Sequence, residues 1–450
     1  MTRKPITRKP TTRKPAFTRR AFLKRIAAVG GGVLLADNLI DFAKAQSDGP
    51  ITVRYLTPSW ASTRDRRPSR QIAFNSVLES FNDRYASEGI QVEEIVGDGN
   101  PVTVSQEMDA GNIDAAWVNH SVYSNHVTAG QLISLEPYLE GEDANFFDWS
   151  VNSLRGVSGE LSGLWHNTDT PLYYYNSEMI PNPPTTWSDV TAIAEAIREQ
   201  DPRAYGVAYP LVGWMQMNTG LYQAIGGTWF DDDGVPIMLQ GDNVEHWKTM
   251  FGFYLDLIER DLMPQATISS NQSQLLPDVF AGSVYSFSGN SNYHVRELEP
   301  NLPPDEYAKW KAVPLPYPDD AERGQYVAGG WVISPVATGD LAREAAAAAF
   351  TLHATGTRAQ RDTCRAGAWI PTRPAIIAED PFYENDEFAQ VTLQALEDGI
   401  VVPLEPIMGS VRASIENALI SVASGQASLD EAIATAEAEV MLEYETQQGS

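Results

Sequence analysis

Two hydrophobic periods alternate along the chain from residue 51 onward. Ile51 to Leu56 alternates apolar and polar positions and is rich in strand formers, which predicts a strand followed by the loop Ser59-Trp60-Ala61-Ser62. From Ser69 to Ser87 the apolar positions Phe74, Val77, Leu78, Phe81 and Tyr85 recur at spacings of three and four, which predicts a helix ended by Gly89. Ile90 to Val96 reads as a second strand, and the turn Ala110 to Asp114 feeds a buried third one through Val118. Strands and helices in this order make βαβ units and predict a largely parallel sheet. Ligands bind outside the carboxyl ends of such strands, which nominates Trp60 and the loop Asn119-His120-Ser121.

The pattern breaks between Gly159 and Trp187. Gly159, Gly163 and the polar run His166 to Thr170 predict a crossing between two lobes, Leu172 to Tyr175 an aromatic strand, and Pro181, Pro183 and Pro184 a breaker before a helix opened by Thr186 and Trp187. Helix and strand signals then resume. Trp187 to Glu199 is a helix, Tyr205 to Tyr209 a strand, and Asp242 with Glu245 a capping box. Val284 to Phe287 is a strand ending at the polar loop Ser288 to Asn292, and Ala312 to Pro316 is extended. Tyr326 to Ser334 is one strand holding Gly329 and Gly330, and Asp340 caps an alanine-rich helix. Trp369 to Thr372 is a second Pro-marked crossing, and two helices, the last opened by Ser428 and Glu431, finish the chain.

Charge changes this picture at the N-terminus. The first 45 of the 450 residues hold 11 of the 32 Lys and Arg and two of the 59 Asp and Glu; the remainder carries 21 against 57, a net of −36. Such a surface repels nucleic acid and anionic lipid. It suits a saline medium, and it also suits attraction of a cationic ligand. The TRKP repeat at Thr2, Thr7 and Thr12 is basic and cannot build a core. Arg19-Arg20-Ala21-Phe22-Leu23-Lys24, the short apolar run Ile26 to Ala36 and Ala43-Lys44-Ala45 resemble a bacterial twin-arginine export signal over residues 1–45. That resemblance implies a folded protein exported to the periplasm, with no cysteine near the cleavage site to carry a lipid. No later segment reaches membrane-spanning length. The single cysteine, Cys364, excludes an internal disulfide and reads as a small buried hydrophobe.

The ordered motifs resemble the family 1 extracellular sugar-binding proteins that serve ABC importers. They are Ala110 to Asp114 through Leu135-Glu136-Pro137, Leu172 to Asn176, Pro183 to Trp187, Phe280 to Val284, Val313 to Pro316, Gly329-Gly330 and Ser424-Gly425 with Glu431-Ala432. Asn112 stands where the family usually has proline. The resemblance implies an α/β protein with the two-lobed periplasmic-binding-protein-like fold of the class II type. The first lobe takes 50–166 and 317–369, and the second 170–313 and 374–450, with crossings at 166–170, 314–316 and 370–374. It implies a monomer that binds a mono- to oligosaccharide in the interlobe cleft and presents it to a membrane permease, with no cofactor, metal or catalytic residue.

A sugar needs flat aromatic faces and groups that reach its hydroxyls. Of the 11 tryptophans, Trp60, Trp165, Trp214, Trp331 and Trp369 fall at loops or crossings, where they either meet ligand or plug a lobe core. Trp117, Trp187, Trp247 and Trp310 are assigned to core. Asp169 in the crossing, Asn119 and Ser121 after the first-lobe strand, and Asn290 after a second-lobe strand are the polar candidates. Two other ligand chemistries stay open: a polyamine or other cation, drawn by the acidic charge, and ferric ion on Tyr173, Tyr174 and Tyr175 with His120 or His166. No nucleophile elbow, phosphate loop or dinucleotide fingerprint appears, which leaves a secreted glycoside hydrolase as the competing enzyme class.

Overall fold

The computed structural model describes residues 33–47, 49–139, 141–397 and 399–449. The twin-arginine motif lies outside them. In chain order the strands are β1 (Ile51–Pro58), β2 (Ile90–Gly97), β3 (Ala115–Asn119), β4 (Leu164–Asp169), β5 (Pro171–Asn176), β6 (Ser286–Asn290), β7 (Trp310–Pro314), β8 (Tyr326–Val327), β9 (Gly329–Pro335), β10 (Ile370–Pro371) and β11 (Gly399–Ile400). The first sheet has the order β10-β4-β9-β3-β1-β2, the second β6-β5-β7, and β8 pairs with β11.

The first sheet is mixed, which corrects the expectation of a largely parallel one. β1 is parallel to β2 and β3, as the βαβ order requires, but β9 returns antiparallel between β3 and β4, and β10 is antiparallel to β4. The returning strands come from beyond the crossings, so no local pattern announces their direction. The second sheet is antiparallel throughout. Tyr205 to Tyr209 reaches it only through isolated bridges at Tyr205 and Ala208, and the ladder that was expected over Val284–Phe287 lies over β6 instead.

Two large cores follow this division. One gathers Phe81, Trp117, Leu164, Ile333 and the alanine-rich helix Leu341–Ala354; the other gathers Tyr173, Tyr174, Val190, Trp214, Trp247, Tyr254 and Ile415. The stretch Tyr326 to Ser334 is split between them. Tyr326 and Val327 pack in the second core and β9 begins in the first sheet, so the chain crosses at Ala328, past the Pro314–Pro316 that the family resemblance implied. Trp187, Trp247 and Trp310 are buried in the second core, and Cys364 is buried on the helix Thr357–Gly367.

Local signals set the helix ends. Thr186 and Asp189 form a reciprocal capping box for Trp187–Gln200, and the Asp340 carboxylate accepts from the amides of Ala342 and Arg343. The Asp242 cap does not form: its backbone is already helical and its side chain makes no capping bond, because the Gln240–Asn243 turn feeds the helix directly.

Helix Val33–Gln46 lies against Leu341–Ala354, with Leu39, Ile40, Phe42 and Ala43 buried. Asp37 accepts from Arg84 and Tyr85, and Lys44 pairs with Glu88 at 2.8 Å. The expected cleavage residues Ala43 to Ala45 therefore sit in a docked helix.

Candidate ligand cleft

A cavity of about 210 Å³, partly open to solvent, opens where the carboxyl end of β3, the β4–β5 crossing and β9 meet the second sheet. Thr170 alone separates β4 in one sheet from β5 in the other, so Asp169 stands at the junction.

The first lobe supplies an aromatic wall. Trp60 follows β1 in the short helical turn Ser59–Ala61, and its ring meets Trp331 edge-on at 4.9 Å. Both rings are half-buried and line the cavity. Trp369 and Trp117 stand beside Trp60, at 6.0 and 5.7 Å. Trp369 is 1% exposed, so it offers little more than an edge. Buried Arg70 holds this group: its guanidinium lies 4.5 Å over Trp369 and donates to the carbonyls of Trp60 and Gly367.

Gly329 and Gly330 bring β9 close to β4. Gly330 has a φ of 146°, and a Cβ there would strike the Asn167 carbonyl. A Cβ on Gly329 would stand 3.1 Å from Asp169 Oδ1, so the carboxylate lies directly over this glycine. Asp169 has no hydrogen-bonding partner among the described residues; burial pushes its carboxyl up to about 6, against the pull of Arg296. His120 places Nδ1 beside the Gly330 amide and carbonyl while Nε2 has no partner, and burial lowers its pKa to about 3, so the ring is neutral.

The second lobe supplies a polar wall of Thr219, Asn290, Asn292, Arg296 and Arg412. The Tyr174 hydroxyl donates to the carbonyls of Asn290 and Ser291, which fixes the end of β6. The Asn292 Oδ1 is buried without a partner.

Six of the nine residues nominated from sequence thus line one cavity: Trp60, Asn119, Asp169, Asn290, Trp331 and Trp369. Three do not. Trp165 is 1% exposed, its indole donating to Ser153 on the far side of β4. Trp214 is wholly buried against Trp247, Phe251 and Tyr254, where it begins the helix Trp214–Ala224. Ser121 lies off the lining, its amide capped by the Asn119 Oδ1. Loop position was the signal in each case, and it does not say which side of the strand end a ring takes. His120, Thr219, Asn292, Arg296 and Arg412 were not singled out as sugar contacts. The tyrosine triple is core: Tyr173 and Tyr174 are buried, bonded to Ser286 and to backbone, with phenols raised by burial. Among the described residues no cluster of three His, Cys, Asp or Glu is placed to hold a metal.

Solved structures share this architecture. T. maritima MalE3 with maltose bound is 18% identical, with a TM-score of 0.73 over 87% of this chain and 99% of that one. The GacH receptor of Streptomyces glaucescens, seen unliganded and with acarbose, is 17% identical, with a TM-score of 0.71 over 86% and 96%. A maltotriose-binding protein of Pyrococcus abyssi is 21% identical over 360 residues, covering 78% of this chain and 75% of its own. No helix among the described residues is long and apolar enough to cross a membrane. The family described as bacterial extracellular solute-binding protein matches residues 77–390, and this chain, a two-lobed α/β binding protein rather than an enzyme, belongs to it.

Proposed function

We propose that the protein is the exported binding component of an ABC importer and that it takes a mono- to oligosaccharide in the cleft between its lobes. The carrying observation is the facing of two unlike walls: the half-buried rings of Trp60 and Trp331 on one lobe, and the amides of Asn290 and Asn292 on the other. Rings cover the C–H faces of a sugar while amides and Asp169 reach its hydroxyls. The maltose, maltotriose and acarbose named for the similar proteins support this class of solute. In this reading the lobes take roughly 50–166 with 329–369 and 170–327 with 374–450, and they close about the crossings to present a surface to the permease. The Arg19-Arg20 motif supports twin-arginine export to the periplasm, and the protein acts as a monomer. A polyamine fits less well, because Arg296 and Arg412 bring two cations to the lining against one carboxylate.

A thermal-shift panel of sugars, spermidine and ferric citrate tests the assignment. Ligand at a hundred times its dissociation constant adds about 2.7 kcal/mol. A sugar is expected to raise Tm and to be recovered intact, and Trp331→Ala to weaken it at least tenfold. A shift with spermidine alone would overturn the sugar reading; unchanged affinity in Trp331→Ala and Asp169→Ala would overturn the site.

A further inference from the structure

The overall charge and the cleft charge have opposite signs. The chain carries −27, yet the charged groups lining the cavity are two arginines and Asp169. Arg412 is the group without an internal explanation. It sits near the start of helix Met408–Ala423, whose apolar face, Met408, Val411 and Ile415, is buried in the second core. The guanidinium makes no hydrogen bond or ion pair among the described residues, and its Nε is buried without a partner.

The acid best placed to neutralise it is committed elsewhere. Glu416, one helical turn on, is turned towards the backbone amides of Gly213, Trp214 and Met215 at the start of the helix Trp214–Ala224, which pull against the rise that burial gives its carboxyl. Across the cleft Arg412 meets neutral His120. Burial lowers the Arg412 pKa only to about 10, so it remains a cation near neutral pH. Arg296 is partly engaged, 2.9 Å from Glu297 and 5.2 Å over the Tyr293 ring. Arg412 is half-buried with its Nε fully shielded, and a cation held partly out of water without a counter-ion is costly. In a cleft, a ligand can remove that cost.

Building on the sugar reading, we propose that the solute is an acidic saccharide, a uronate-bearing oligosaccharide whose carboxylate is received by Arg412 with Arg296 beside it while its rings lie on Trp60 and Trp331. A guanidinium presents its donors in a planar fork that matches a carboxylate, and such charge-assisted pairs are stronger than neutral hydrogen bonds. Asp169, on the other side of the crossing, is left to accept hydroxyls.

Calorimetry on the full chain decides this. The probes are disaccharides of galacturonate, glucuronate and mannuronate, each beside its methyl ester, with maltose and cellobiose as neutral sugars. The expected result is that at least one uronate binds ten or more times tighter than its ester. Arg412→Gln should abolish that ratio, Arg412→Lys should keep part of it, and Arg296→Gln should reduce it. Circular dichroism verifies that each variant folds. If maltose, cellobiose or an ester binds as tightly as every uronate, or if the ratio survives in Arg412→Gln, the acidic-saccharide assignment is overturned and the sugar reading stands. If no saccharide binds at millimolar concentration, both are overturned.

Discussion

Asp169 joins the two lobes and carries a carboxyl raised to about 6 by burial, against an ordinary value of 3.8. Between those values the folded protein holds a proton that the unfolded chain has lost, so this group's contribution to stability falls as pH rises through that window. Arg296 offsets part of the loss, and the half-buried position lets solvent screen more of it. Asp169→Asn removes the titration. Its Tm relative to wild type should rise by about 1–3 °C between pH 4 and pH 7, measured by scanning calorimetry; a difference flat with pH would show that the carboxylate is fully compensated. At this scale the sequence was informative where a residue ends a strand. Asn119, Asp169 and Asn290 are all strand-terminal: the carboxyl-end rule finds Asn119, the crossing marks Asp169, and the polar loop after a second-lobe strand marks Asn290. Arg412 and Arg296 lie on helical segments more than a hundred residues from Asp169, and only the packing of the second core turns them into the cleft.

Among the elements, the helices and the early βαβ strands were legible because one stretch of chain carries each pattern. β9 was not: it is read together with β8 as one run of strand formers, although Gly329 and Gly330 mark the place where the chain changes sheets. The helix Val33–Gln46 was read as the end of an export signal, and its docking depends on a helix some three hundred residues away. Ala345 to Ala349 are all buried, which for a helix against a sheet requires a cover on its outer side. Small side chains there let the two helices approach closely. Leu39 is 1% exposed in this contact, and Leu→Ala at such a site costs about 2–5 kcal/mol. In a protein beginning at Val33, Leu39→Ala should lower the Tm of the first lobe by roughly 4–10 °C. A protein beginning at Gln46 should melt lower than the one beginning at Val33. Equal melting of all three would mean that the helix is not docked in solution.

For the whole molecule, the two-lobed plan was readable from the breaker-rich crossing and the order of motifs, whereas the net charge says little about the cleft. The acidic surface was read as suiting a saline medium, with a cationic solute as the alternative, and the cleft lining holds two arginines. A net charge sums over the surface, but recognition depends on the few groups taken out of water. The same distinction governs acid stability. His120 is lowered to about 3, and His166, His294 and His353 to about 4, each chiefly by burial. A histidine depressed below its unfolded value of 6.5 contributes stability that is complete above that pH and is lost as pH falls towards the folded value. This opposes the effect of Asp169 and of Asp114, Asp256 and Glu416, whose carboxyls burial also raises; the histidines, His126 among them, start from the higher unfolded value and set the sign between pH 7 and pH 4.5, so Tm should drop over that interval despite the relief of acidic self-repulsion. His353 allows the cause to be isolated, because it lies away from the cleft, its Nε2 2.9 Å from the Ser80 hydroxyl and 3.1 Å from the Val77 carbonyl. Glutamine at this position keeps a polar end and cannot take up a proton. His353→Gln should therefore shrink the drop in Tm between pH 7 and pH 4.5 by a few degrees while leaving ligand affinity at pH 7 unchanged; an undiminished drop would assign the acid sensitivity to other groups.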